Sequence, residues 1–126
     1  MTIDIDRTID SYLQFWNSEE DDQRRIGGGL FANDVSYHAI VGVLTGVDAL
    51  VDFRAQLIEN VGEVRFQARQ PADQHHDRAR LLWEVVREDG SSFAAGTDVI
   101  AFAPDGLVRD VSVFLDRAPE GFEDHH

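Results

Sequence analysis

The sequence predicts one α+β domain in which helices lie to one side of a mainly antiparallel sheet. Apolar residues recur at helical spacing in the first half of the chain, whereas the second half alternates apolar and polar residues and carries hairpin signals. Helices that are segregated from a run of strands are typical of α+β proteins. The 126 residues, 43% of them hydrophobic, suffice for one core, and no linker or repeat divides them.

The first thirty residues predict two helices. The first carries an apolar stripe at i, i+3, i+4 and i+7, formed by Ile9, Tyr12, Leu13 and Trp16. Ser18 then precedes the acidic stretch Glu19–Asp22, which suits the N-terminus of a second helix running toward Leu30 and Phe31. Gly27–Gly29 would weaken that helix, so either it ends there or another backbone packs very close.

One or two strands and a third helix follow. Val35–Ile40 is predicted as a strand, and Val43–Thr45 as a short strand or a turn. The helix begins after Gly46 and ends at Asn60 and Gly62. Its apolar stripe comprises Leu50, Phe53 and Leu57, widened by Val47, Val51 and Ile58.

Strands joined mainly by hairpins complete the chain. They are predicted at Val64–Ala68, Ala79–Arg87, Ser92–Phe102 and Leu107–Leu115. Asp89-Gly90 and Asp105-Gly106 are typical of the tight turns between such strands. The residues from Pro119 onward are expected to form a frayed, disordered tail.

The composition excludes several classes of function. The chain has no cysteine, which excludes disulfides, thiolate nucleophiles and zinc–sulfur sites. A net charge of −13 makes nucleic acid and anionic membranes poor partners, although a well-dispersed acidic surface accounts for the same charge. The chain has neither a cationic start with an apolar run nor an apolar window that could span a bilayer, so we expect a cytoplasmic protein. His125 and His126 are given no role.

Short stretches along nearly the whole chain carry a family resemblance. They are Tyr12-Leu-Gln-Phe-Trp16-Asn17, Phe31-Ala-Asn-Asp-Val35, Gly46-Val-Asp-Ala-Leu50, His75-His76, Gly96-Thr97-Asp98-Val99, Asp105-Gly106-Leu107-Val108 and Phe114-Leu115-Asp116. No single stretch is specific, but in this order the chain resembles the SnoaL-like, nuclear transport factor 2-like superfamily. That superfamily includes ketosteroid isomerases, polyketide cyclases, scytalone dehydratase and limonene-epoxide hydrolase.

The resemblance implies a cystatin-like cone that fills residues 1–126 as one domain. In such a cone a curved, mixed sheet is closed by three helices around an apolar pocket. The fold leaves the function open, because the same cone carries enzymes, binding modules and accessory domains.

Asp98 is the first candidate for chemistry. Side chains alternate along a strand, so Asp98 shares a face with Ala94, Gly96, Ile100 and Phe102, which are small or apolar. The resemblance places it where ketosteroid isomerases keep an aspartic acid that donates to an oxyanion, protonated because its apolar site disfavours the charge. The alternative is a structural carboxylate that caps a segment or pairs with an arginine on a neighbouring strand.

Two tyrosines are further candidates. Tyr12 matches the pocket tyrosine of the isomerases and could donate to the same oxyanion, or it could be a core residue with its hydroxyl at water or backbone. In the first strand, Ala39 stands where many relatives have the aspartate that serves as general base. Parity places Tyr37 on the face of Ala39, toward the pocket, with His38 turned away unless a bulge intervenes.

His75 and His76 form the remaining cluster of candidate residues. Adjacent strand residues point to opposite faces, so both imidazoles cannot readily bind one metal, and no metal or cofactor is predicted. Counting back from Trp83 places His75 on the inward face unless a turn or bulge intervenes, and one histidine near the pocket mouth could act as acid–base partner of Asp98, as in related dehydratases. The alternative is a partly buried histidine that is hydrogen-bonded at the start of a strand.

The substrate pocket is expected to be lined by apolar and aromatic side chains. They are Trp16, Phe53, Leu81, Trp83, Val85, Ile100, Val111 and Val113. Asp110, Ser112 and Phe114 then face outward, and in this superfamily the outer sheet face often pairs two subunits. A homodimer is therefore expected, with Phe93 or Phe114 as possible contacts.

Two functions remain open. The first is a cofactor-free isomerase, cyclase or dehydratase acting on an apolar, carbonyl-bearing substrate of polyketide or steroid type. Asp98 would be its acid or oxyanion donor, Tyr12 and Tyr37 further donors, and His75 or His76 a base. The second is a domain that holds an apolar small molecule without turning it over. The absence of the general-base aspartate at Ala39 favours this second function. Epoxide hydrolysis is excluded, because the Asp–Arg–Asp arrangement would rest on Arg87-Glu88-Asp89 at a solvent-facing hairpin.

Overall fold

The structure is a computed structural model that describes residues 4–119. Its elements, in chain order, are α1 (Ile5–Trp16), α2 (Glu20–Leu30), β1 (Phe31–Ala39), β2 (Gly42–Thr45), α3 (Val47–Val61), β3 (Val64–Ala68), β4 (Asp73–His75), β5 (Arg78–Arg87), β6 (Ser92–Phe102) and β7 (Val108–Arg117). The predicted tail lies, apart from Pro119, outside the described residues, as do His125 and His126. Among the described residues no helix is long and apolar enough to cross a bilayer.

The first helix forms as its apolar stripe predicts. Asp4 caps it, because its side chain accepts a hydrogen bond from the Arg7 backbone N–H. The predicted residues Ile9, Tyr12 and Trp16 are buried together with Phe15. At the C-terminal end, the buried Arg54 of α3 donates from Nε to the Trp16 carbonyl oxygen at 2.8 Å, which satisfies one of the carbonyls that a helix end leaves free.

The second helix continues through the three glycines, and the reason is local packing. A Cβ on Gly27 would lie 2.9 Å from a Val47 side-chain atom and 3.1 Å from Phe15, so this glycine allows α2 to approach α1 and α3. Side chains, not another backbone, therefore make the close contact. Gly28 and Gly29 face open space. The third helix ends as predicted at Gly62, whose φ of 94° is left-handed.

The strands form one mixed sheet in the order β2-β1-β7-β6-β5-β3, with β4 paired to β5. Only β1 and β7, among the described strands, pair in parallel. The predicted strands are present, but β1 begins at Phe31 instead of Val35, β7 extends past Leu115 to Arg117, and the short β4 was not predicted. The helices and the sheet bury a common core that includes Leu50, Leu81, Ile100 and Val111.

Candidate functional site

A cavity of about 740 Å³ lies between the inner face of the sheet, α1, α3 and the β1–β2 hairpin. Six of the eight predicted lining residues border it, namely Trp16, Phe53, Leu81, Trp83, Val85 and Val113. The other two, Ile100 and Val111, are fully buried and belong to the core instead. Ile100 and Val111 pair with each other across β6 and β7. This pair lies two residues from the pair formed by Asp98 and Val113, at a point where both side chains are part of the buried core. The alternation of side chains along a strand predicts on which face of the sheet a residue lies. It does not predict which part of that face borders the cavity and which part is covered by the core.

Asp98 lies inside this cavity with only 3% of its surface exposed. The Tyr12 hydroxyl donates to Oδ2 at 2.6 Å, and the Trp83 indole Nε1–H donates to Oδ1 at 2.7 Å. Among residues 4–119 no salt bridge includes Asp98, so the predicted alternative of an arginine partner does not hold there. Loss of hydration on burial raises the pKa of Asp98 to about 6, and the two hydrogen bonds oppose this rise.

Both cavity tyrosines are held in the neutral form. Tyr12 is 1% exposed, and its pKa is raised well above 10 by burial and then by the charge of Asp98. The pKa of Tyr37 is raised for the same two reasons in the same order. Tyr37 also packs on an aromatic wall, with its ring centroid 5.4 Å from that of Trp16 and 6.1 Å from that of Phe53. At any ordinary pH both side chains are therefore phenols that can donate hydrogen bonds.

The first strand has the parity that the sequence predicts. Tyr37 and Ala39 line the cavity, whereas His38 points to the outer face, where its Nε2 lies 3.0 Å from the Asp110 carboxylate. The cavity side of β1 therefore offers a methyl group where relatives are expected to carry a carboxylate. Besides Asp98, the described cavity lining contains one other carboxylate, that of Asp52, which is exposed at the mouth.

The prediction that His75 faces inward, close to Asp98, is wrong. His75 and His76 are both exposed, and neither borders the cavity. β4 folds back on β5 so that His75 opposes Arg78, an outward-facing residue whose neighbour Ala79 is buried. Counting along one continuous strand misses this reversal, and a turn through His76, whose φ is 52°, inverts the parity. The two imidazoles contact each other, with 3.2 Å between their Nδ1 atoms.

Sequence reasoning missed a polar row on α3. Asp52, Gln56 and Asn60 line the mouth of the cavity at i, i+4 and i+8. The spacing was visible in the sequence beside the apolar stripe, and it marks an exposed helix edge that borders the opening.

Outside the cavity, a separate hollow of about 710 Å³ lies on the outer sheet face, bordered by small residues and by charged ones such as Arg78 and Arg109. None of the candidate residues borders that hollow.

Within residues 4–119, a curved mixed sheet and three helices form a cone around a cavity that holds a buried acid. Comparison with protein-family models and with the curated proteins finds no match. Among solved structures, a candidate isomerase of the SnoaL-like family from Agrobacterium tumefaciens C58 is 26% identical, with a TM-score of 0.81 over 89% of this chain and 97% of that one.

Two further structures share the fold at lower identity. A nuclear transport factor 2-like protein of unknown function from Exiguobacterium sp. 255-15 is 20% identical over 86% of this chain and 98% of its own, with a TM-score of 0.68. A candidate SnoaL-like polyketide cyclase from Jannaschia sp. CCS1 is 14% identical over 92% and 90%, with a TM-score of 0.66. The chain therefore has the fold of the SnoaL-like, nuclear transport factor 2-like superfamily, and these similarities support the resemblance seen in the sequence.

Proposed function

We propose that this protein binds a neutral, largely apolar small molecule in the cavity and transfers a proton on it, with Asp98 as the group that accepts and returns the proton. The observation that carries the proposal is a carboxylate 3% exposed in an apolar cavity, with a pKa raised to about 6 by burial. A general base works best when its pKa lies near the working pH, so near neutrality Asp98 is mostly ionised and still basic enough to take a proton.

The geometry favours a base over an oxyanion donor. Tyr12 and Trp83 each donate to one oxygen of Asp98, an arrangement that suits the anion. The single O–H of Tyr12 is used in this bond, so Tyr37, which also lines the cavity, would be the phenol that donates to a substrate oxygen. In the proposed step a C–H bond beside a carbonyl breaks, its proton moves to Asp98, and the negative charge develops on the carbonyl oxygen, where Tyr37 donates. Return of the proton to carbon completes the cycle without a cofactor.

The charge around the cavity narrows the class of substrate. No lysine, arginine or histidine is among its described lining residues. The two carboxyl groups there, those of Asp52 and Asp98, are negatively charged when they ionise. A bound carboxylate, phosphate or sulfate would thus face negative charge without a cation to balance it. The cavity suits a neutral molecule with an apolar body and a carbonyl group, such as a polyketide- or steroid-like compound.

The proposal is tested by deuterium uptake at the carbon beside the carbonyl of β-tetralone, a neutral bicyclic ketone, in heavy water. We expect the wild type to accelerate exchange, followed by NMR, and Asp98→Asn to lose about 10²-fold or more of that acceleration. Asp110→Asn, which removes an outer-face carboxylate, is the matched control and should retain it. Equal exchange in the wild type and Asp98→Asn would contradict the assignment of the base.

A second candidate function is ligand binding without turnover. It is favoured by Ala39, which leaves β1 without a carboxylate that could act with Asp98, and by the two protein donors that already bond to Asp98. Calorimetric binding of β-tetralone with no deuterium exchange would support this alternative.

Pairing of two copies through the outer sheet face and a cytoplasmic location remain proposals. Phe114, 56% exposed on that face, supports the first.

A further inference from the structure

Trp83 reaches Asp98 diagonally across two neighbouring strands. In the β5–β6 register, Leu81 opposes Asp98, and Trp83 opposes Gly96 two residues earlier in β6. A diagonal neighbour on the same face is within reach of a long aromatic side chain, and here the indole Nε1–H lies 2.7 Å from Asp98 Oδ1. The indole must therefore lie along β6, over Gly96, instead of standing upright from the sheet.

Gly96 provides the space for this orientation. A Cβ there would come 2.8 Å from Trp83 Cε2, closer still to Cζ2, and 2.5 Å from the Phe114 carbonyl oxygen. The backbone contact cannot be relieved by a side-chain rotation, so any larger residue would have to displace both the indole and the neighbouring strand. The absence of a side chain at position 96 therefore permits the hydrogen bond to Asp98.

A β-bulge and an arginine hold the backbone beneath the indole. The β6–β7 register shifts between Ala95 and Gly96, so that Asp116 is the extra residue on β7. Arg69 donates from Nη2 to the Gly96 carbonyl oxygen at 2.8 Å and to the Asp116 carboxylate, and from Nε to the Trp83 carbonyl oxygen at 3.0 Å. One guanidinium thus ties together the two residues of the Trp83–Gly96 pair and the bulge.

We infer that Trp83 is a positioning residue: its indole N–H fixes the orientation of the Asp98 carboxylate in the cavity, and Gly96 and Arg69 hold the indole in place. The inference rests on the proposed role of Asp98 as the proton-transfer group. With Oδ1 bound to Trp83, Oδ2 is directed to Tyr12, and the carboxylate cannot rotate without losing a hydrogen bond to a charged group.

Few other ionisable groups face Asp98. Tyr12 approaches from α1 and Tyr37 from β1, and the opposing residues on β5 and β7 are Leu81 and Val113, which are neutral. Both phenols remain neutral when Asp98 titrates, because burial raises their pKa values. A change in the indole signal near the pKa of Asp98 therefore reports Asp98 and no other described neighbour.

The first arm of the test uses indole fluorescence and leaves Trp83 intact. The chain contains two tryptophans, so Trp16→Phe makes Trp83 the only one. We expect its emission to titrate with an apparent pKa of about 6, and the titration to vanish in Trp16→Phe combined with Asp98→Asn. Emission that is independent of pH, or that titrates unchanged after Asp98→Asn, would overturn the inference.

The second arm removes the donor. In Trp83→Phe, the carboxylate signal of Asp98, followed by ¹³C NMR, should titrate about 1 to 2 pH units higher than in the wild type, because the anion loses one hydrogen bond. Phe66→Leu, which changes another ring of the cavity wall that makes no bond to Asp98, should leave this titration in place. An unshifted Asp98 signal in a folded Trp83→Phe variant would refute the role of the indole.

The two proposals fail in different ways. If the indole reports Asp98 and Trp83→Phe shifts its titration while β-tetralone shows no exchange, the positioning role stands and catalysis does not. If exchange depends on Asp98 but survives Trp83→Phe with an unchanged pH profile, the catalytic proposal stands and the positioning role does not.

Discussion

Replacement of Asp98 by asparagine should change how stability depends on pH. Burial raises the pKa of Asp98 from 3.8 to about 6, so the folded chain binds this proton more tightly than the unfolded chain does. The stabilisation that the proton provides is complete below pH 3.8, is lost as the pH rises to about 6, and does not return above it. A shift of about two pKa units corresponds to about 3 kcal/mol of unfolding free energy, of which about 2 kcal/mol falls between about pH 4 and pH 7.

Urea unfolding, followed by circular dichroism across this pH range, measures the effect. The wild type shares its other carboxylates with Asp98→Asn, so the quantity of interest is the difference between the two. We expect the free energy of unfolding of Asp98→Asn, relative to the wild type, to rise by about 2 kcal/mol from about pH 4 to pH 7. Its absolute offset also contains the exchange of hydrogen-bond partners at Tyr12 and Trp83 and is not diagnostic.

Val108→Ala is the control, because Val108 is fully buried in the core but does not border the cavity that holds Asp98. It removes no ionisable group, so its difference from the wild type should stay constant with pH. If the curves of Asp98→Asn and the wild type are parallel as well, burial does not raise the pKa of Asp98, and the argument for a base poised near neutrality fails.

Three further predictions follow from the packing and the hydrogen bonds. Tyr12→Phe should raise the apparent pKa of Asp98 by about 1 to 2 units in a ¹³C titration, because the anion loses a donor. Gly28→Ala, into open space, should stabilise α2 by about 0.5–1 kcal/mol in urea unfolding, whereas Gly27→Ala, against side chains of α1 and α3, should destabilise it by about 1–3 kcal/mol. Sedimentation should give the mass of a dimer for the wild type and of a monomer for Phe114→Glu, since a charge there would be buried at the proposed interface.

Local periodicity predicted the part of the site that depends on a single element. Asp98 and Tyr37 face the cavity because strands alternate, and Tyr12 faces it because a helical stripe must be buried. These rules need only the neighbours of a residue in sequence. They could not show that Trp83 would bond to Asp98, since that contact depends on a bulge in β7 and a glycine on the adjacent strand.

The errors have a common physical origin. His75 was placed inward because a strand was extended through what is a reversal at His76, and such a turn has no strong signal in Gln-His-His-Asp. Ile100 and Val111 lie on the predicted face, but both are fully buried in the core. Whether a residue on the inner face borders the cavity or the core therefore depends on tertiary packing, which the periodicity of the sequence does not describe.

The energetics of Asp98 bear on the choice between catalysis and structure. Ionisation at this site opposes folding by about 3 kcal/mol at neutral pH, and an apolar side chain of similar size would avoid that loss. Two hydrogen bonds reduce the loss without removing it, since the pKa remains raised. A group that destabilises the fold yet lines a cavity is characteristic of a functional site, where stability is often lower than it could be. Because Ala39 offers no second base, the same carboxylate would have to take the proton and return it, which limits the chemistry to proton transfers that one group can complete.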